Sequence, residues 1–213
     1  MPNRMAINTT MPIGFNGQIA RTSFAIIESH VMSSAAPVAA YGCACKLDSG
    51  VLKALASTDT AAAVYGFVVR PQVVQAATFP GPTMDDFVAP DAKQPQSVLI
   101  EGYMNAKVNA GTATKGGQVY IRIADGSSTK PIGGIEATAV ENKVIALPGA
   151  MFMGAADEYG VAEIRYMPET AATVLSNTVS ALSTAVETLE TNVGANYSDE
   201  DSLDTRVTAL ENA

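Results

Sequence analysis

Six apolar residues toward the C-terminal end, Leu175, Val179, Leu182, Val186, Leu189 and Val193, are spaced 4, 3, 4, 3 and 4 apart. That spacing is the seam of a heptad repeat with Val at a and Leu at d. A second block, Leu203, Val207 and Leu210, lies 21 residues beyond Leu182, Val186 and Leu189, so both blocks share one register. A helix with so narrow an apolar stripe cannot bury the stripe on itself, and its other faces are too polar for a core helix. The pattern therefore predicts self-association through a coiled coil. A continuous helix over residues 171–210 would be about 60 Å long.

Val at a with Leu at d is compatible with two strands, and the case for three rests on Arg206, Val207, Leu210 and Glu211. The run Arg206-Val207-Thr208-Ala209-Leu210-Glu211 resembles the short trimerisation motif in which Arg precedes an a-position aliphatic and Glu follows a d-position one, with Arg206 at g and Glu211 at e. Across a trimer the guanidinium reaches the neighbouring carboxylate while its methylenes cover the seam. The middle heptad is weaker, with Asn196 and Glu200 at seam positions and Gly194 beside them. Either the helix runs through this polar patch, where three Asn196 amides would face the axis, or it breaks at Gly194 and restarts with Ser198 and Asp201 as a capping turn.

Before this segment the texture differs. Between Met11 and Met167 short apolar or alternating runs are separated by Gly, Pro, Asn and Asp, the pattern of an all-β sandwich or barrel of short antiparallel strands. The clearest candidate strands are Phe24–Met32, Ala40–Leu47, Ala62–Arg70, Ser97–Val108, Gly117–Ala124, Lys143–Leu147 and Gly160–Met167. In Gly117–Ala124, Val119, Ile121 and Ile123 alternate with Tyr120 and Arg122, predicting an inward face and an amphipathic one. Val98, Ile100, Gly102 and Met104 suggest the same period. Gln75 to Pro95, with four prolines, reads as a long loop and a possible contact arm. Pro168 and Glu169 suit a helix start, which places the boundary between a β body at residues 1–168 and a coiled coil at 169–213.

The formal net charge is −8, and residues 169–213 carry eight acids and one base, which leaves the body at −1. No basic stripe is present for phosphate neutralisation, so nucleic acid is not an expected partner. No stretch approaches the roughly 18 apolar residues of a membrane helix, and the first residues do not read as a secretory signal, so no membrane is expected and the default compartment is the cytoplasm in which the protein is made. Cys43 and Cys45 point to one face of a strand with poor geometry for a disulfide, and read as small buried hydrophobes.

Chemistry is sparse. The single histidine, His30, lies near Glu28 and Ser29, but adjacent strand residues point to opposite faces, which argues against an acid–base pair. Nucleophile elbows, phosphate loops, dinucleotide fingerprints and zinc spacings are all missing. The acids at Asp157-Glu158 and Asp199-Glu200-Asp201 lack the spacing of a calcium loop. No enzyme, cofactor or metal is expected.

Three stretches of the body resemble phage head-decoration and capsid cement proteins: Gly14-Phe15-Asn16-Gly17-Gln18-Ile19-Ala20, Tyr65-Gly66-Phe67-Val68-Val69-Arg70-Pro71, and Val108-Asn109-Ala110-Gly111 through Gly116-Gly117-Gln118-Val119-Tyr120. The likeness covers residues 11–165 and lies in the order of strand-and-turn motifs. It implies a virion protein on the outer surface of the capsid, with the major capsid protein as partner and a homotrimer as its working form. The coiled coil departs from the plainest members and resembles the stalks of phage fibres. The alternative is therefore a head-fibre or tail-appendage protein with the β body as its base, although a chain ending at Ala213 leaves little room for a large tip.

Overall fold

The computed structural model describes residues 13–71, 89–168, 178–189 and 191. The chain divides into two compact units, Met1–Pro168 and Glu169–Ala213. The first is mostly β: β1 (Gln18–Ile19), β2 (Ile26–Met32), β3 (Ala44–Asp48), β4 (Val51–Lys53), β5 (Gly66–Val68), β6 (Pro95–Lys107), β7 (Gln118–Arg122), β8 (Ile135–Glu136), β9 (Val144–Phe152) and β10 (Val161–Tyr166). Each of the seven candidate strands coincides with one of these. The short β1, β4 and β8 were not anticipated. β4 did leave a signal, because Ser49 and Gly50, with φ of 53° and 80°, make the two-residue hairpin turn that joins it to β3.

Five strands close a ring. β2 pairs with β4, β4 with β3, β3 with β5, β5 with β6, and β6 returns to β2. The β2–β4 pairing is parallel, a departure from the expected antiparallel arrangement, and it spans only Val31↔Val51 and Met32↔Leu52. Met32, Val38, Ala40, Tyr41, Cys43, Cys45, Leu52, Val68 and Val98 form one apolar cluster of this barrel. The cysteines belong to that cluster, and burial pushes both thiols up to about 12.

The second half of β6 leaves the ring. There it pairs with β1 and β10, and the sheet continues through β9 and β7 to β8. A parallel bridge, Val108↔Ile135, brings β8 back beside the end of β6. The larger core lies here, with Leu99, Met104, Val119, Ile121, Ile135, Leu147, Phe152 and Ile164, and with Phe67 edge-on to Tyr166 at 5.2 Å between ring centroids.

The thirteen residues of β6 serve both sheets, which corrects the expected period along it. Val98 belongs to the barrel cluster, whereas Leu99, Met104 and Ala106 all belong to the larger core. A strict alternation would separate Leu99 from Met104. The parity changes because the register against β2 jumps from Ile27↔Leu99 to Ile26↔Glu101, and Gly102 follows with φ of 140°. A Cβ on Gly102 would lie 2.4 Å from the Phe24 carbonyl oxygen, so the crossing point requires glycine.

In the second unit, residues 178–189 and 191 are helical. The Thr184, Thr188 and Thr191 hydroxyls donate to the carbonyls of Ser180, Thr184 and Glu187 one turn earlier.

Candidate functional site

Asp157 and His30, singled out by the sequence, are tied into the framework. Asp157 Oδ1 accepts from the backbone N–H groups of Tyr159 and Val161 at 3.0 and 2.8 Å, and its Oδ2 accepts from that of Ile13 at 3.0 Å. This carboxylate braces a turn. Among the described residues no group of three or more His, Cys, Asp or Glu side chains could hold a metal ion. Asp199, Glu200 and Asp201 lie outside the described residues. So does the Gln75–Pro95 loop as far as residue 88; Pro95 itself opens β6 opposite Val31.

His30 does have an acidic partner, contrary to the argument from adjacent residues. Glu28 and His30 are two apart, hence on one face of β2, and His30 Nε2 lies 3.1 Å from Glu28 Oε2. Tyr65 completes the cluster. Its hydroxyl donates to the same Glu28 oxygen and lies 3.3 Å from His30 Nε2, and its ring meets the imidazole edge-on at 5.5 Å. These hydrogen bonds, Tyr65 first, hold the Glu28 carboxyl below its usual range, while the facing carboxylate and burial push Tyr65 up to about 12. The cluster fastens the middle of β2 to the residue preceding β5. The i, i+2 spacing of Glu28 and His30 was visible in sequence; Tyr65, thirty-five residues on, was not.

Buried polar groups likewise serve structure. Arg122 Nε and Glu136 Oε1 are 2.5 Å apart with both side chains buried, and Arg122 Nη1 also donates to the Ala124 carbonyl at 3.1 Å. Arg122 thus abandons the amphipathic face expected of it. The Gly14–Ala20 stretch is a clasp: Asn16 Nδ2 donates to the Tyr41 carbonyl at 2.7 Å, Asn16 Oδ1 accepts from Lys107 N–H at 2.9 Å, and Phe15 lies under the Arg70 guanidinium at 4.7 Å. A shallow groove lined by Pro37, Ala39, Ala54, Leu55, Gly126, Ser127, Pro131 and Ile132 contains no titratable side chain.

Among the described residues nine large apolar side chains are exposed, and most of them fall in two places. Phe24, Ile26, Ile27 and Val31 are exposed in and just before β2. On the helix, Val179, Leu182, Val186 and Leu189 are each at least half exposed, so the four described seam residues form an open stripe. Leu175, Val193, Leu203, Arg206, Val207, Leu210 and Glu211, like Asn196, lie outside the described residues. Among the described residues no helix is long and apolar enough to cross a membrane.

No curated protein matches the chain. A solved chain from the capsid of Myoviridae phage XM1 shares the fold at a TM-score of 0.55 and 20% identity, over 78% of this chain and 97% of that one. Residues 4–167 match the family model for structural cement proteins (E217 gp24/Pam3 gp6). The chain belongs to the phage structural cement protein family, and is a structural, capsid-associated protein and not an enzyme.

Proposed function

We propose that this protein is a trimeric capsid cement protein that binds the outside of the phage head and stabilises the assembled shell. Its body clamps neighbouring major capsid subunits at three-fold or quasi-three-fold positions, and the segment 169–213 ties three copies together as a coiled coil. The observation that carries the reading is the extent of the family match, which takes in the body and stops at residue 167. That extent supports a reading in which the body attaches to the shell and the heptad stripe beyond it serves self-association.

The mechanism is binding alone. A site that spans several subunits exists only in the assembled shell, so its occupation stabilises that state by mass action. Linking three bodies multiplies the effect, because once one has docked the others bind at high effective concentration. A body near neutrality suits a packed interface, whereas an acidic stalk favours solvent and limits aggregation.

Light scattering coupled to size exclusion, followed by sedimentation with undecorated shells, tests the reading. A mass near three chains and saturable co-sedimentation, with shells that withstand higher temperature, is the expected result. A trimer that ignores shells would instead mark a head-fibre or tail-appendage protein, and a monomer would refute the role of the stripe.

A further inference from the structure

β2 has an open edge. Its pairing with β4 involves only Val31 and Met32, and among the described residues no strand pairs with Ile26–His30 on the side away from β6. The backbone groups facing outward can be identified. Val69 N–H donates to the Ser97 carbonyl at 2.8 Å, so Ser97 turns its backbone toward the β5 side. Ser29, opposite Ser97, therefore forms a non-hydrogen-bonded pair with it and turns its own N–H and C=O outward. The same alternation applies to Ile27 opposite Leu99. Two residues thus present four backbone groups at the spacing an added strand needs.

Large apolar side chains flank the exposed Glu28 and Ser29 of this edge: Phe24 is 66% exposed, Ile26 53%, Ile27 44% and Val31 57%. We propose that the open edge of β2 is the shell-docking element of the body, and that it takes up an extended apolar strand of the major shell subunit by β-augmentation. This rests on the cement reading above and names the surface that performs it.

A second copy of the chain fits the edge less well. The open stretch is five residues long and centred on Glu28, so a two-fold antiparallel pairing within it sets Glu28 opposite its own counterpart. Like charges directly opposite in an antiparallel pair are destabilising, most of all in a close non-hydrogen-bonded pair. An isologous contact also closes at two copies and cannot close a trimer. A strand with no acid opposite Glu28 meets neither obstacle. Area points the same way. The four side chains leave roughly 400 Å² of apolar surface open, at about 150–200 Å² for a full side chain, against about 800 Å² per partner in a self-standing interface. A contact of that size holds when repeated on one lattice, as a shell provides.

Two full-length variants test the assignment. Ser29→Pro removes an outward N–H while leaving the bonds to β6, and Ile27→Lys places a charge beside the edge. Mass, thermal unfolding and co-sedimentation with undecorated shells are measured for both and for the wild type. The expected result is unchanged mass and unfolding with shell affinity at least about tenfold weaker in each. Wild-type affinity in both folded variants would overturn the assignment, as would a lowered mass, which would make the edge a contact between copies. If the wild type itself fails to bind shells, the cement reading falls and this assignment with it.

Discussion

The Arg122–Glu136 pair offers the sharpest test of the energetics. Glu136 is fully buried and Arg122 is 4% exposed, so each charge has given up its water for the other. The pair also sits where β8 is held, since β8 pairs with β7 only through Tyr120↔Glu136 and Ile121↔Ile135. Replacing Glu136 with Leu leaves the guanidinium buried with the Ala124 carbonyl as its remaining described acceptor, and breaking a buried pair in this way costs about 3–5 kcal/mol. Domains typically hold about 5–15 kcal/mol in reserve, so the variant should still fold. At about 2–4 °C per kcal/mol for a domain of this size, the melting midpoint should fall by roughly 6–20 °C. The double variant Arg122→Met, Glu136→Leu removes both charges and should recover most of that loss. Circular dichroism melts of the wild type, both single variants and the double variant close the cycle. Single variants within about 1 kcal/mol of the wild type would sink the reasoning, because they would mean that neither charge depends on its partner.

Other consequences follow from the same geometry. Adding a methyl group at Gly102 by substitution to Ala should destabilise the body by at least about 2 kcal/mol, since the clash is with backbone at 2.4 Å and the φ of 140° is strained for any side chain; an unchanged urea midpoint would contradict the role given to this crossing point. Cys43, Cys45, Tyr65 and Tyr166 all have folded-state pKa values pushed up to about 12, from ordinary values near 9 for the thiols and 10 for the phenols. Raised values mean stability that is complete below pH about 9 and lost as pH climbs toward 12, so urea midpoints should be level up to pH 9 and then decline; a rise above pH 9 would reverse the sign. Changing Leu182 and Leu189 together to Ser should abolish self-association while the body's unfolding midpoint stays put, as buried seam leucines contribute about 2 kcal/mol or more each. Retention of full mass by that variant would exclude the helix stripe as the oligomer contact.

The strands that were readable in the sequence are those whose signal is local. Val119, Ile121 and Ile123 alternate within one strand, and turn residues bracket Val161–Tyr166, so each can be placed without knowing its neighbours. Two- and three-residue strands such as β1 and β8 exist only because β6 and β7 lie beside them, and nothing within Gln18–Ile19 or Ile135–Glu136 announces a strand. The same reason hid the polar contacts. Arg122 in its own strand looks like an outward residue, and only the approach of Glu136, fourteen residues away, turns it into half of a buried pair. For β6 the failure was one of periodicity, because a strand that serves two sheets changes its inward parity where it crosses between them. The four described seam residues, by contrast, fall on one helix with their side chains exposed, as a purely local repeat allows.

The exposed apolar surface of β2 has a cost that bears on its purpose. Closing a sheet into a barrel removes edges, and an open apolar edge invites unwanted pairing. In this barrel the closure between β2 and β4 stops after two residue pairs, and beyond it β2 continues through His30, Ser29 and Glu28 to the exposed Ile27 and Ile26, with Phe24 just before the strand. Glu28, gripped by Tyr65 and His30, keeps a charge in the middle of that stretch, which disfavours self-pairing while leaving the backbone groups of Ile27 and Ser29 open. An edge guarded against its own kind yet left unpaired fits a protein whose surface is completed only on the assembled shell. On the trimeric reading proposed above, self-association falls to the acidic helix, so that three weak edges would arrive together and each would need to bind only modestly.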